Sequence, residues 1–124
     1  MKIAIASTGH SINSEVDLHT GRARCFVIYD TGKEDFEVYD NWRERECHHW
    51  AGSRTADILS ELCVDAIILR NIGPCAFRRL SETRIGLYQA PMGSRVVEAI
   101  RGLREHKLPI VETPNCTGHN HLLR

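Results

Sequence analysis

Residues 64–77, VDAIILRNIGPCAF, decide the fold. Within them Ala66-Ile67-Ile68-Leu69 is short, apolar and free of alternation, the pattern of a strand buried on both faces. The run stops at Asn71, and Gly73-Pro74 opens a helix, since proline's missing N–H has no intrahelical partner at the first helical position. A buried strand that turns straight into a helix leaves backbone N–H groups facing outward at its C-terminal end. In open α/β sheets such an edge holds anions and ligands.

Working outward, the inner face of the helix after Gly73 is Ala76, Phe77 and Leu80. Residues 85–89 read as a further strand, broken by Ala90-Pro91-Met92-Gly93. Ser94 reads as the cap of a last helix with Val96, Ile100 and Leu103 inward. Upstream, Ser53 reads as the cap of a helix whose stripe is Thr55, Ile58, Leu59 and Leu62, with Cys63 on its core side. Residues 3–6 form an apolar first strand, 25–29 a second, and 36–39 a third with Phe36 and Val38 inward; Thr31-Gly32-Lys33-Glu34 turns between the last two. Residues 7–24 and 41–50 are long polar segments, of the length that connections reach when they carry function. Residues 1–112 read as one domain, and 113–124 as an irregular tail containing Cys and His.

The order is β-β-β-α-β-α-β-α. Short links make the first three strands an antiparallel meander, and right-handed helical crossovers place the last two parallel. The simplest closed sheet has order 3-2-1-4-5, with strand 2 antiparallel: an α/β, three-layer, ribonuclease H-like fold with three helices.

The chain has 124 residues, 42% of them apolar and 26% charged, which describes a soluble globular protein. No apolar run approaches the ~20 residues of a membrane span. Its N-terminus reads as a strand and not a signal peptide, so the cytoplasm is the expected location. With 16 acids against 16 bases it is not a general nucleic-acid binder. The five cysteines include no CxxC, and in the cytoplasm they serve as free thiols or metal ligands.

That topology gathers chemistry at one edge of the sheet. Strands 1, 3, 4 and 5 exit there and strand 2 enters. Four of the seven His (His10, His19, His48, His49) and two of the five Cys (Cys47, Cys75) fall on its loops. The tail adds Cys116, His119 and His121 if it folds back. Imidazole and thiolate are the ligands of zinc, copper, iron and their sulfide clusters. The three helix N-termini, each with about half a positive charge, also face this edge. Together with Arg22, Arg54 and Arg70 they balance an anionic cluster, with Asn71 and Gly73 on the floor. Cys25 reads as structural. A nuclease on this fold needs carboxylates on strands 1 and 4 to hold magnesium, and neither strand has one.

Residues 14–17 (Ser-Glu-Val-Asp), 20–23 (Thr-Gly-Arg-Ala) and Phe26 resemble the S-x-V…F-G-R-A-x-x-F opening of the dinitrogenase iron–molybdenum cofactor biosynthesis family. Ile72-Gly73-Pro74 followed by Ala76-Phe77 resembles that family's second signature, and 52–56 its first helix entry. The family includes carriers of nitrogenase cofactor precursors and a small orange protein holding a molybdenum–copper sulfide cluster. The resemblance implies a ribonuclease H-like fold and a cluster-binding role without catalysis. The expected protein is a monomeric carrier of a metal or metal–sulfur cluster of molybdenum, iron or copper type, which passes it to an acceptor or assembly protein. The alternatives are a ribonuclease H-like hydrolase or nuclease, and a zinc-binding regulatory domain. The chain departs from the family at His19-Thr20, where an aromatic is more usual, and in Cys75 and the tail.

Overall fold

The structure, a computed structural model, describes residues 1–20, 23–40 and 51–114, with the backbone alone for 51–54. Its elements are β1 (Lys2–Ser7), β2 (Cys25–Asp30), β3 (Asp35–Asp40), α1 (Ala51–Glu61), β4 (Ala66–Leu69), α2 (Pro74–Ser81), β5 (Gly86–Gln89) and α3 (Val96–Arg104). The five strands form a mixed sheet of order β3-β2-β1-β4-β5. β2 runs antiparallel to both neighbours, and β1, β4 and β5 are parallel. This is the order expected from the apolar runs and the lengths of their connections.

β1 and β4 are central, which is why they read as unbroken apolar runs. Ile3, Ala4, Ile5, Ala6, Ile67, Ile68 and Leu69 are fully buried. The pleat sends alternate residues to two cores. On one face Ala4, Phe26, Ile28, Ile67, Leu69 and Leu87 meet Ala56 and Leu59 of α1 and Ala76 and Leu80 of α2. On the other, Ile3, Ile5, Val27 and Ile68 meet Val96, Ala99, Ile100 and Leu103 of α3. Burying each Val, Leu, Ile or Phe side chain among them contributes about 1.5–3 kcal/mol. An Arg79–Asp57 ion pair ties α2 to α1, and the Asp57 carboxylate raises the Arg79 guanidinium's affinity for its proton.

Several local expectations change. Phe36 is not inward: 37% of it is exposed, because β3 is an edge strand and the half of the sheet beneath it faces α3 only at a distance. Cys63 is exposed rather than in the core. α1 stops at Glu61, and Cys63 takes φ 59° in a left-handed turn. There its N–H donates to Ser60 O and that of Val64 to Leu59 O, a Schellman closure. α3 ends the same way, with His106 at φ 59°, its N–H on Leu103 O and that of Lys107 on Gly102 O. Ser53 lies inside the first turn of α1 and not before it. Ser94 precedes the cap of α3. Its hydroxyl donates to Pro91 O, while Arg95 occupies the cap position with its N–H on Glu98 Oε1.

The stretch after α3 pairs with the sheet. Gln89 N donates to Pro109 O and Val111 N to Leu87 O, so residues 109–111 lie antiparallel along the outer side of β5. They cover that edge against stray strand pairing. No helix among the described residues is long and apolar enough to cross a membrane.

Candidate functional site

The register places the ends of β1, β3, β4 and β5 and the start of β2 on one edge. Ser7 pairs with Cys25, Cys25 with Asp40, and Leu69 with Gln89. The long β1–β2 connection crosses this edge and is tied down at many points. Ser7↔Val16 and Glu15↔Arg95 bridges carry it alongside β1 and toward α3. Asp17 N donates to Ala6 O and Asn71 N to Leu18 O, so residues 15–18 continue the ladder where β4 stops and fill the notch between β1 and β4. Gly9 permits the tight start of this loop, since a Cβ there would sit 2.7 Å from Ser14 Oγ.

Asp17 organises the next stretch. Its Oδ1 accepts the His19 N–H at 3.0 Å and its Oδ2 the Arg24 N–H at 3.1 Å, so one carboxylate closes the segment 17–24. Thr20, 2% exposed, donates its hydroxyl to Asn71 O at 2.5 Å. A parallel His19↔Asn71 bridge sets His19 beside the end of β4, with its side chain exposed. His10 is also exposed, its Nε2 3.8 Å from Asp40 Oδ2 at the end of β3. Beneath the loop, Cys25 is buried with its Sγ 3.1 Å from Gly9 O, and burial pushes the thiol's pKa up from 9.0, as a structural residue requires. Asp17 and Thr20 entered the sequence reading only through the family resemblance, and Asp40 not at all. For Asp17 a signal existed, because an Asp two residues before the residue it must hold is the pattern of an Asx-turn.

The helix starts are not equivalent. At α3, Val96 N donates to Ser14 O and Val97 N to Ile12 O, and the Arg95 guanidinium reaches Asn13 O. The loop's own carbonyls occupy this terminus. α1 starts directly after residues 41–50, which lie outside the described residues. α2 is open. It has Gly73 as its cap residue with no side-chain cap, and Pro74 at its start. Among the described residues nothing accepts from the Cys75 and Ala76 N–H groups. Cys75 itself is an exposed free thiol.

Of the residues expected here, His10, His19, Asn71, Gly73 and Cys75 lie on this edge. Arg70 is half-buried and donates from Nη1 to Ala90 O at 2.7 Å, which ties the ends of β4 and β5 together. The Arg54 side chain, and Arg22, Cys47, His48, His49, Cys116, His119 and His121, lie outside the described residues. No three His, Cys, Asp or Glu side chains gather as a metal-ion shell among the described residues. What these residues present is a pair of backbone donors at a positive helix end, flanked by imidazole and a thiol. That combination suits an anionic, soft, sulfur-containing group better than a bare divalent ion.

Fold and edge together define a small α/β domain of the ribonuclease H-like class, with the loops at one edge of its sheet as the candidate site. The chain belongs to the dinitrogenase iron–molybdenum cofactor family, whose sequence profile matches residues 1–106. It is similar to the apo form of the orange protein from Desulfovibrio gigas, with TM-score 0.89 and 28% identity over 93% of this chain and 96% of that one. It is similar also to a NifB-like protein from Thermotoga, with TM-score 0.79 and 30% identity over 93% and 98% of the two chains. An uncharacterized protein of Methanocaldococcus jannaschii is 31% identical over 111 residues, 87% of this chain and 89% of its own.

Proposed function

We propose that this chain is a small carrier that binds a metal–sulfur cluster of molybdenum, iron or copper type as cargo and passes it to an acceptor or assembly protein, without catalysing a reaction. The observation that carries it is the uncapped start of α2, Gly73 to Ala76, set beside His19 by the ladder to Asn71, in a chain of this family. The backbone N–H groups of Cys75 and Ala76 hold the cluster's negative charge. His19 and Cys75 approach it from the described edge; Cys47, His48 and His49 complete the ligand set, with Arg22 and Arg54 balancing charge. Residues 1–112 form the cargo domain, and Cys116, His119 and His121 of the tail join it when cargo is bound. Cys25, Cys63 and Cys75 are free thiols, in keeping with a protein that works in the reducing cytoplasm.

Anaerobic reconstitution with iron or molybdate plus sulfide, followed by metal analysis and a visible spectrum, tests this. The expected result is stoichiometric metal with sulfide-to-metal charge-transfer bands, and metal content falling severalfold in His48→Ala/His49→Ala. Absence of metal under every condition, or undiminished loading of the double variant, contradicts it. Loading through imidazoles also weakens below about pH 6, where protons compete for the ligand nitrogens.

A further inference from the structure

Among the described residues, the face of the sheet that carries α3 is half covered. α3 packs over β1 and β4, while the β2–β3 hairpin beside it keeps Tyr29 and Val38 only partly buried and Phe36 37% exposed. Between helix and hairpin runs an open groove of about 650 Å³. Its floor is apolar, made by Ile12, Tyr29, Phe36, Val97 and Ile100. Its walls carry opposite charge: Arg101 and Arg104 on α3, Glu34 and Asp35 on the hairpin. None of these four has an ion-pair partner among the described residues. Glu105, at the end of the helix wall, is already paired with Lys107 at 3.0 Å.

We propose that a second copy of this chain docks in this groove about a two-fold axis, in place of the monomer expected from sequence. A two-fold axis running along the groove sets the helix wall of one copy against the hairpin wall of the other. Arg101 and Arg104 of each copy then face Glu34 and Asp35 of its mate, twice over, around an apolar centre holding both Phe36 rings. A partner of one charge sign satisfies one wall and opposes the other. The chain's formal net charge of zero removes the long-range repulsion that otherwise keeps identical proteins apart. The groove is remote from the start of α2, so the proposal is independent of the cargo.

Sedimentation velocity of the full chain over a range of concentrations, with reductant present to exclude bridging through Cys63 or Cys75, reads this directly. The expected result is a monomer–dimer equilibrium. Arg101→Glu/Arg104→Glu and Glu34→Lys/Asp35→Lys each raise the dimer Kd by about tenfold or more, because like charges then face each other. An equimolar mixture of the two variants restores dimers to within about threefold of the unmodified chain, because the reversed walls are complementary. Circular dichroism checks that the variants are folded, and Phe36→Ser serves as a charge-independent probe that also weakens the dimer. A monomer at every concentration overturns the proposal. So does a dimer that the charge reversals leave unchanged, or a mixture that fails to recover.

Discussion

Asp17→Ala removes the carboxylate that closes residues 17–24. Two backbone N–H groups lose their acceptor, His19 N at 3.0 Å and Arg24 N at 3.1 Å. A hydrogen bond to a charged group contributes ~1.5–3 kcal/mol when well shielded. Asp17 is half-buried and both freed donors lie where water can reach them, so the expected loss for the pair together is about 1–2 kcal/mol. Asp17→Asn keeps one acceptor oxygen and exchanges the other for a donor, so it should lose about half as much. Urea denaturation followed by circular dichroism measures the stability. Amide hydrogen exchange supplies the local readout: the His19 and Arg24 amides should exchange faster in Asp17→Ala, while those of Ile67 and Ile68 in β4 shift only with global stability. Cluster loading should fall with local order, since His19 is no longer held beside Asn71. Stability within about 0.3 kcal/mol of the parent, together with unchanged exchange at His19 and Arg24, would refute the role given to Asp17.

Thr20→Val keeps the shape but deletes the hydroxyl that donates to Asn71 O, and should cost about 1 kcal/mol by denaturation, with faster exchange confined to residues 17–20 and 71. Cys63→Gly and His106→Gly each relieve a left-handed backbone at a helix end, and should raise stability by about 1 kcal/mol apiece, additively, as seen in the thermal midpoint. Cys25 holds its proton in the folded chain to higher pH than in the unfolded chain, because it is buried. Its contribution is therefore complete at neutral pH and is lost as pH rises past the thiol's ordinary value of 9.0. Urea midpoints taken between neutral and alkaline pH should fall less steeply for Cys25→Ala than for the parent.

Much of the fold could be read from sequence for a simple reason. The central strands are buried on both faces, so Ile3-Ala4-Ile5-Ala6 and Ala66-Ile67-Ile68-Leu69 are unmistakable, and connection lengths then leave few ways to order the sheet. What could not be read depended on neighbours. Phe36 has the alternation of an inward residue, but alternation does not say whether a helix covers that half of the sheet. Cys63 continues the α1 stripe by count, yet the helix unwinds one residue before it, and a left-handed non-glycine residue leaves no mark in sequence. The site was legible at the level of which loops share an edge, and topology alone brings His10, His19 and Cys75 there. It was not legible which helix start stays open. That depends on the carbonyls of Ile12 and Ser14, which cap α3, while among the described residues the start of α2 keeps free donors. Backbone groups of that kind carry no residue signature.

The most direct test of the central claim is the metal and acid-labile sulfide content of the protein purified without air from its native source. The account predicts both metal and sulfide, in a fixed ratio and near stoichiometric with the chain. Protein that is folded, purified anaerobically and carries neither, or that carries a metal such as zinc without sulfide, contradicts it.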